Sequence, residues 1–171
     1  MIKPMLAATA TLADIKYPVI ASPKLDGVRG LVINGVLHSR SLKIFPNQHV
    51  TDRFSTKFHD GYDGELILGS PTAKDVYRVT NGACARKTGT PDVKFYIFDR
   101  HINKAVKFED RMPMEEIDEH TVVVDQVRVD NEKELLKMES MMLTLGYEGL
   151  ILRSPHAPYK YGRSTINEQG M

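Results

Sequence analysis

Cysteine occurs once in this chain, as Cys84, so no internal disulfide can form. A lone cysteine suits a reducing cytoplasm, and Cys84 reads as a small buried hydrophobe rather than a nucleophile. An excess of one charge is also lacking. Lysines and arginines number 23 against 22 aspartates and glutamates, for a net charge of +1. Bulk charge therefore neither points to nucleic acid nor excludes it, and any phosphate-binding surface must be a local patch. No apolar run approaches the ~18 residues of a membrane span, so no membrane partner is expected. The N-terminus has an early Lys3 and no long apolar stretch, and does not read as a signal peptide. Internal repeats, low-complexity tracts and long Gly/Ser linkers are missing too. What remains is one ordinary domain of 171 residues, 42% apolar and 26% charged, long enough to bury a substantial core.

The pattern along the chain predicts an α+β fold of mostly antiparallel sheets with flanking helices. Tyr17 to Ser22 is rich in β-branched residues and ends at Pro23, which predicts a strand that delivers Lys24 at its end. Leu31-Val32-Ile33, Asn34-Gly35 and Val36-Leu37 predict a hairpin, because a type I′ turn needs positive φ at both central residues. The hairpin would fold Ser39 and Arg40 back beside Lys24. Asp63-Gly64 reads as a turn, and Glu65 to Leu68 as a strand that starts there. A helix is predicted from Pro71 to Tyr77, a loop from Asn81 to Gly89, and a strand from Val93 to Phe98. A short helix from Phe108 to Ile117 would be limited by Pro113. Thr121 to Val129 is valine-rich and β-like. Asn131 to Leu145 is the clearest helix, with Asn131 as cap, Glu134 completing a box and Leu135, Met138, Met142 and Leu145 on one face. Gly146 ends it, and Leu150 to Leu152 is a final strand.

Lys24-Leu25-Asp26-Gly27-Val28-Arg29 is the segment richest in chemistry. A lysine becomes a nucleophile only when its ammonium loses a proton, which burial or a neighbouring cation such as Arg29 favours. Asp26 can orient the amine or a bound cation, and Gly27 lets the backbone turn tightly near a ligand. On its own the segment reads as a surface Asp-Gly turn among solvated charges. Four later segments add to it in order: Ser39-Arg40, Asp63-Gly64-Glu65, Phe95-Tyr96-Ile97-Phe98-Asp99 and Glu148-Gly149-Leu150-Ile151-Leu152-Arg153.

In that order and spacing the five segments resemble the motifs of ATP-dependent DNA ligases and their relatives, the RNA ligases and mRNA capping enzymes. The opening Lys3-Pro4-Met5-Leu6-Ala7 looks like that of the DNA ligases. The resemblance covers nearly the whole chain and implies an ATP-grasp-like nucleotidyltransferase domain. It implies that Lys24 attacks the α-phosphorus of ATP to form a lysyl-AMP. AMP would then pass to the 5′-phosphate of a nick in duplex DNA, and the 3′-OH would seal it in repair, replication and recombination. ATP would be held by Lys24, Arg29, Arg40, Glu65 and Phe98. Glu65 would meet the ribose, and Phe98 would stack on adenine. Phe95 and Ile97 would face one way and Tyr96 and Phe98 the other. Glu148, with Asp99, would place Mg²⁺ or Mn²⁺, a hard cation that needs few protein carboxylates. For Arg29 and Arg40 a surface ion pair is the alternative, and for Asp63 a turn aspartate bonded to its own backbone.

Arg29, Lys160 and Arg163 are the candidate nucleic-acid contacts. The run Tyr159 to Ser164 can grip a phosphate backbone, or be a solvated tail. Ser22 stands where many ligases have a glutamate that meets the adenine amino group. The chain ends at Met171, ahead of the lysine motif and the oligonucleotide-binding domain that usually follow. The expectation is therefore an adenylation domain over residues 1–171 that labels itself weakly when isolated. It would be a cytoplasmic or phage-encoded monomer. An RNA ligase, a capping relative or a non-catalytic module that binds nicks or a partner are the alternatives.

Overall fold

β-Branched and aromatic residues at alternate positions set the strands, and the computed structural model, which describes residues 1–101, 105–112, 114–168 and 170, gathers them into sheets. The elements begin with β1 (Met5–Leu6), β2 (Val19–Pro23), β3 (Val28–Ile33), β4 (Val36–Ser39), α1 (Gln48–Phe54) and β5 (Tyr62–Leu68). Then follow α2 (Val76–Ala85), β6 (Val93–Arg100), α3 (Phe108–Arg111), β7 (Thr121–Val123) and β8 (Val127–Val129). The last are α4 (Glu132–Leu145), β9 (Leu150–Arg153) and β10 (Gly162–Arg163).

β4, β3, β5, β6 and β7 form a five-stranded sheet in that order, antiparallel except between β6 and β7. β8, β2 and β9 form a three-stranded antiparallel sheet. β1 and β10 pair in parallel. The fold is the α+β arrangement that the sequence predicts. Each main sheet has its own core. Leu66, Phe95 and Ile97 pack with Val50 and Phe54 of α1 and Cys84 of α2. Val19, Ala21, Val129 and Leu152 pack with Leu135 and Met138 of α4. Burying each large apolar side chain contributes about 1.5–3 kcal/mol, so each sheet is held mainly by its own helices.

The Asn34-Gly35 hairpin forms as predicted, with φ of 51° and 73° at its two central residues. α4 is capped by Asn131, whose Oδ1 accepts from Glu134 N at 3.0 Å, and ends at Gly146 with φ 101°. Leu145 does not share the buried face and is exposed.

Other elements differ from expectation. The helix predicted from Pro71 lies instead at Val76–Ala85, where Val76, Thr80 and Cys84 recur every four residues and are buried. Gly82, which suggested a loop, sits on the open side of that helix. α1 has no counterpart in the sequence reading, although Asn47 caps it by accepting from Val50 N at 2.9 Å. α3 stops at Arg111; Pro113, expected to limit it, lies outside the described residues.

Asp63-Gly64 is no turn but part of β5, at a register shift against β6. A Cβ at Gly64 would lie 2.3 Å from Tyr96 O, so only glycine lets the two strands approach here. The valine-rich stretch divides: β7 joins the five-stranded sheet and β8 the three-stranded one. Val124, Asp125 and Gln126 cross between them.

Candidate active site

A cleft of about 250 Å³ opens between the two main sheets. The five-stranded sheet contributes Arg29, Glu65 and Phe98, and Arg40 follows from the end of β4. The three-stranded side contributes Ser22, Lys24 and Ile151. Every nucleotide-contact residue expected from the sequence thus lines one cavity.

β2 delivers Lys24 as the sequence suggests. Its backbone N–H donates to Gly149 O at 2.9 Å, which ties the lysine to the residue after Glu148. The side chains meet as well: Lys24 Nζ lies 3.1 Å from Glu148 Oε2, and both side chains are 51% exposed. Gly27, expected to make room for a ligand, makes room for protein instead. A Cβ there would sit 2.3 Å from Leu66 O and 2.9 Å from Glu65 Cγ.

Arg29 lies on β3 directly opposite Glu65 on β5. Its Nε and Nη2 donate to Asp63 Oδ1 and Oδ2 at 2.6 and 2.8 Å, and Nη2 also donates to Met5 O at 2.9 Å. Tyr159 Oη donates to Asp63 Oδ2 at 2.6 Å and accepts from Met5 N at 3.2 Å. The four residues close a ring that joins β1, β3, β5 and the segment before β10. Asp63 is therefore neither a turn residue nor free. Burial alone would raise its pKa, but the charge and hydrogen bonds of Arg29 and the hydroxyl of Tyr159 outweigh that and hold it below the usual carboxylate range. Burial likewise opposes the charge of Arg29, yet Asp63 more than offsets it and the guanidinium is held more firmly protonated. Burial, then the charge of Asp63, push the Tyr159 phenol up, so it stays a donor. The cation expected to act on Lys24 is thus largely committed to Asp63.

Above this ring the Arg29 guanidinium lies 4.8 Å from the centre of the Phe98 ring. In β6, Asp99 pairs with Asp63 and Ile97 with Gly64, so Phe98 is the residue the register skips. A bulge of this kind re-aims a side chain, here into the cleft. Phe95 and Ile97 are fully buried on the opposite face, as the alternation predicts. Glu65 is pushed up to about 7, chiefly by burial; Arg29 opposes the shift, and Asp63 and Asp26 add to it. Near neutral pH it can donate as well as accept a hydrogen bond.

Asp99 lies elsewhere than expected for a metal ligand. It is fully buried beneath the cleft. Arg111 Nε donates to its Oδ1 at 2.8 Å and Arg111 Nη2 to its Oδ2 at 3.2 Å, while Arg153 Nη1 also bonds Oδ2. Both oxygens belong to an ion-pair network that staples β6 to β9 and α3, which leaves Glu148 as the acid at the lysine. Among the described residues no cluster of three or more His, Cys, Asp or Glu is arranged for a metal. Mg²⁺ needs only one or two protein carboxylates beside phosphate oxygens and water, so Glu148 alone still fits the shared coordination expected of it.

The basic-aromatic run is no loose tail. Tyr159 is 1% exposed, and Met5 and Leu6 pair with Gly162 and Arg163. Arg163 is exposed and its Nη1 donates to Ala7 O at 3.0 Å; Lys160 is half-buried. Neither lines the cleft. The sequence reading gave no role to Arg111 or to Arg153, whose partner Asp99 lies 12 and 54 residues away with no local signal. It missed Ile151 and Gln126 as cleft residues too.

The fold, with a lysine in the cleft between its two main sheets, matches that of DNA ligase nucleotidyltransferase domains. Its structural neighbours are the adenylation domains of ATP-dependent DNA ligases. Two solved structures of Chlorella virus DNA ligase-adenylate are similar to this chain at 29% and 27% identity, with TM-scores of 0.84 and 0.82. They match over 99% and 98% of this chain and 65% and 66% of theirs. The ATP-dependent DNA ligase of bacteriophage T7, solved in complex with ATP, shares the fold at 21% identity and a TM-score of 0.69. That match covers 95% of this chain and 66% of the T7 ligase, so the chain spans just under two thirds of each of these three structures. No protein-family model and no curated protein matches the sequence. No helix among the described residues is long and apolar enough to cross a membrane.

Proposed function

We propose that this chain is the adenylation domain of an ATP-dependent DNA ligase and that Lys24 carries the AMP. One observation carries the reading: Lys24, Arg29, Arg40, Glu65 and Phe98 meet around one cleft although they lie far apart in sequence. A planar base fits between Phe98 and the aliphatic Ile151 of the opposing sheet. Glu65, partly protonated near neutral pH, suits a ribose hydroxyl. Arg40, exposed at the cleft edge, suits phosphate oxygens. The T7 structure with ATP supports the choice of nucleotide.

In the reaction Nζ of Lys24 attacks the α-phosphorus, the N–P bond forms, and the bond to the departing pyrophosphate breaks. The amine must shed a proton, and Glu148 at 3.1 Å is the carboxylate in contact with it. A divalent cation held by Glu148 and phosphate oxygens would neutralise charge on the triphosphate. Catalysis is otherwise positioning and charge stabilisation. Transfer of AMP to the 5′-phosphate of nicked DNA and sealing by the 3′-OH would complete the cycle. Lys160 and Arg163 are the proposed backbone contacts; Arg29, largely buried and bonded to both Asp63 oxygens, is not placed to be one.

Incubation with ATP labelled at the α-phosphate, with Mg²⁺, tests the first step. A covalent adduct, even a sub-stoichiometric one, should appear on a denaturing gel and be absent from Lys24→Ala. Label that persists in Lys24→Ala overturns the assignment of the nucleophile. Labelling by GTP in place of ATP would move the chain to the capping relatives.

A further inference from the structure

Gln126 sits in the link that carries the chain across the cleft from β7 to β8. Its side chain lines the cleft, and its Nε2 donates to the carbonyl oxygen of Phe98 at 3.2 Å. A carbonyl oxygen can only accept, so the atom that faces it must be the amide nitrogen. That fixes the orientation of the carboxamide. Oε1, which can only accept, is thereby turned away from Phe98 O, on a side chain that lines the same cleft as the Phe98 ring.

We infer that Gln126 selects the purine: its Oε1 accepts from the amino group at C6 of adenine, where guanine carries an oxygen. The inference rests on the nucleotidyl-transfer reading and adds to it a residue that discriminates the base. Among the described polar residues of the cleft, Glu65 is assigned to the ribose, and Lys24, Arg29 and Arg40 as cations can only donate. The Ser22 hydroxyl both donates and accepts, so it suits either base. Val124 is apolar. The Arg153 guanidinium would favour a C6 oxygen, but it is engaged with Asp99. Guanine would set two acceptors against each other, each stripped of water and neither paired, which is the arrangement by which polar sites reject a wrong ligand.

Equilibrium binding of three triphosphates to the whole chain tests this: ATP, GTP and purine riboside triphosphate, which has hydrogen at C6. Wild type should bind ATP roughly tenfold more tightly than the purine riboside analogue, as one neutral hydrogen bond allows, and GTP more weakly still. In Gln126→Leu, ATP and the analogue should bind alike. Equal binding of ATP and the analogue by wild type overturns the inference, and so does a preference that survives in Gln126→Leu. The wild-type comparison decides the matter without the variant, should the variant fold poorly. If none of the three binds, the nucleotidyl-transfer reading falls and this inference with it. Binding without discrimination removes only the role of Gln126.

Discussion

Beneath the cleft the charges are buried and mutually saturated, whereas at its mouth they stand half in water. Asp63 and Asp99 are fully buried, and three arginines and a tyrosine occupy their four oxygens. Lys24 and Glu148 make a single contact with half of each side chain exposed. The two kinds of pair answer to different energetics. A buried pair gains little over an apolar one but is costly to break, because the surviving charge is left without water. A half-exposed pair is worth little and costs little to open. A reactive lysine needs the second kind, since it must release its partner to reach substrate. A wall that holds a base and a sugar in register needs the first.

Asp99→Asn should break this contrast most severely. It removes the negative charge between Arg111 and Arg153 and leaves two buried guanidinia facing a neutral amide. A loss of about 3–5 kcal/mol is expected, read as a lower urea midpoint. Since Arg153 lies on β9 and Asp99 on β6, the damage should reach the junction of the sheets. Nucleotide binding should weaken even where the variant remains folded. A midpoint unchanged from wild type would mean that the staple is dispensable.

Glu65→Gln sharpens the contrast through pH. Glu65 lies between the two regimes: enclosed by protein, yet facing the cleft and not fully compensated. Its carboxyl keeps its proton up to about pH 7 when folded, against 4.5 when unfolded. Between those values the folded chain binds more protons than the unfolded one, so stability falls as pH rises through this window and levels off above it. Glutamine keeps the shape without the titration. The difference between the variant and wild type should therefore grow from pH 5 to pH 8 in favour of the variant, by about 1–3 kcal/mol. A difference independent of pH would show that Glu65 is solvated well enough to ionise freely.

How much of this was legible beforehand depended on distance along the chain. Asn34-Gly35 and Asn131 announce a turn and a cap because both signals are local, set by backbone conformation and a side-chain bond within three residues. Lys24, Glu65, Phe98 and Glu148 were legible as an ordered set of motifs, and the cleft brings the first three together with Glu148 at the lysine. The buried network was not. Tyr159 finds Asp63 across 96 residues, and Arg153 finds Asp99 across 54. Burial of the acids, which decides their role, is a property of the packed sheets alone. Asp99 accordingly read as a metal ligand: an acid beside an aromatic looks the same whether it faces a cleft or two guanidinia. Likewise the glycine in Asp63-Gly64 suggested a turn, where it serves the close approach of two strands.

Lys24→Ala should have the smallest effect on stability and a complete one on chemistry. The substitution leaves Glu148 with half its side chain in water, so no carboxylate is stranded without solvent. The backbone bond from residue 24 to Gly149 O does not depend on the side chain and should persist. A change below about 1 kcal/mol is expected, with the urea slope unaltered, while covalent labelling by ATP disappears. Glu148→Gln separates the two contributions further: it keeps the amine and removes its charged neighbour, so stability should again hold while labelling slows. A loss of stability in Lys24→Ala as large as that in Asp99→Asn would place the lysine inside the structural network. The division between a saturated floor and a half-solvated rim would then fail, because one pair would have to hold the sheets together and also come apart for the lysine to react.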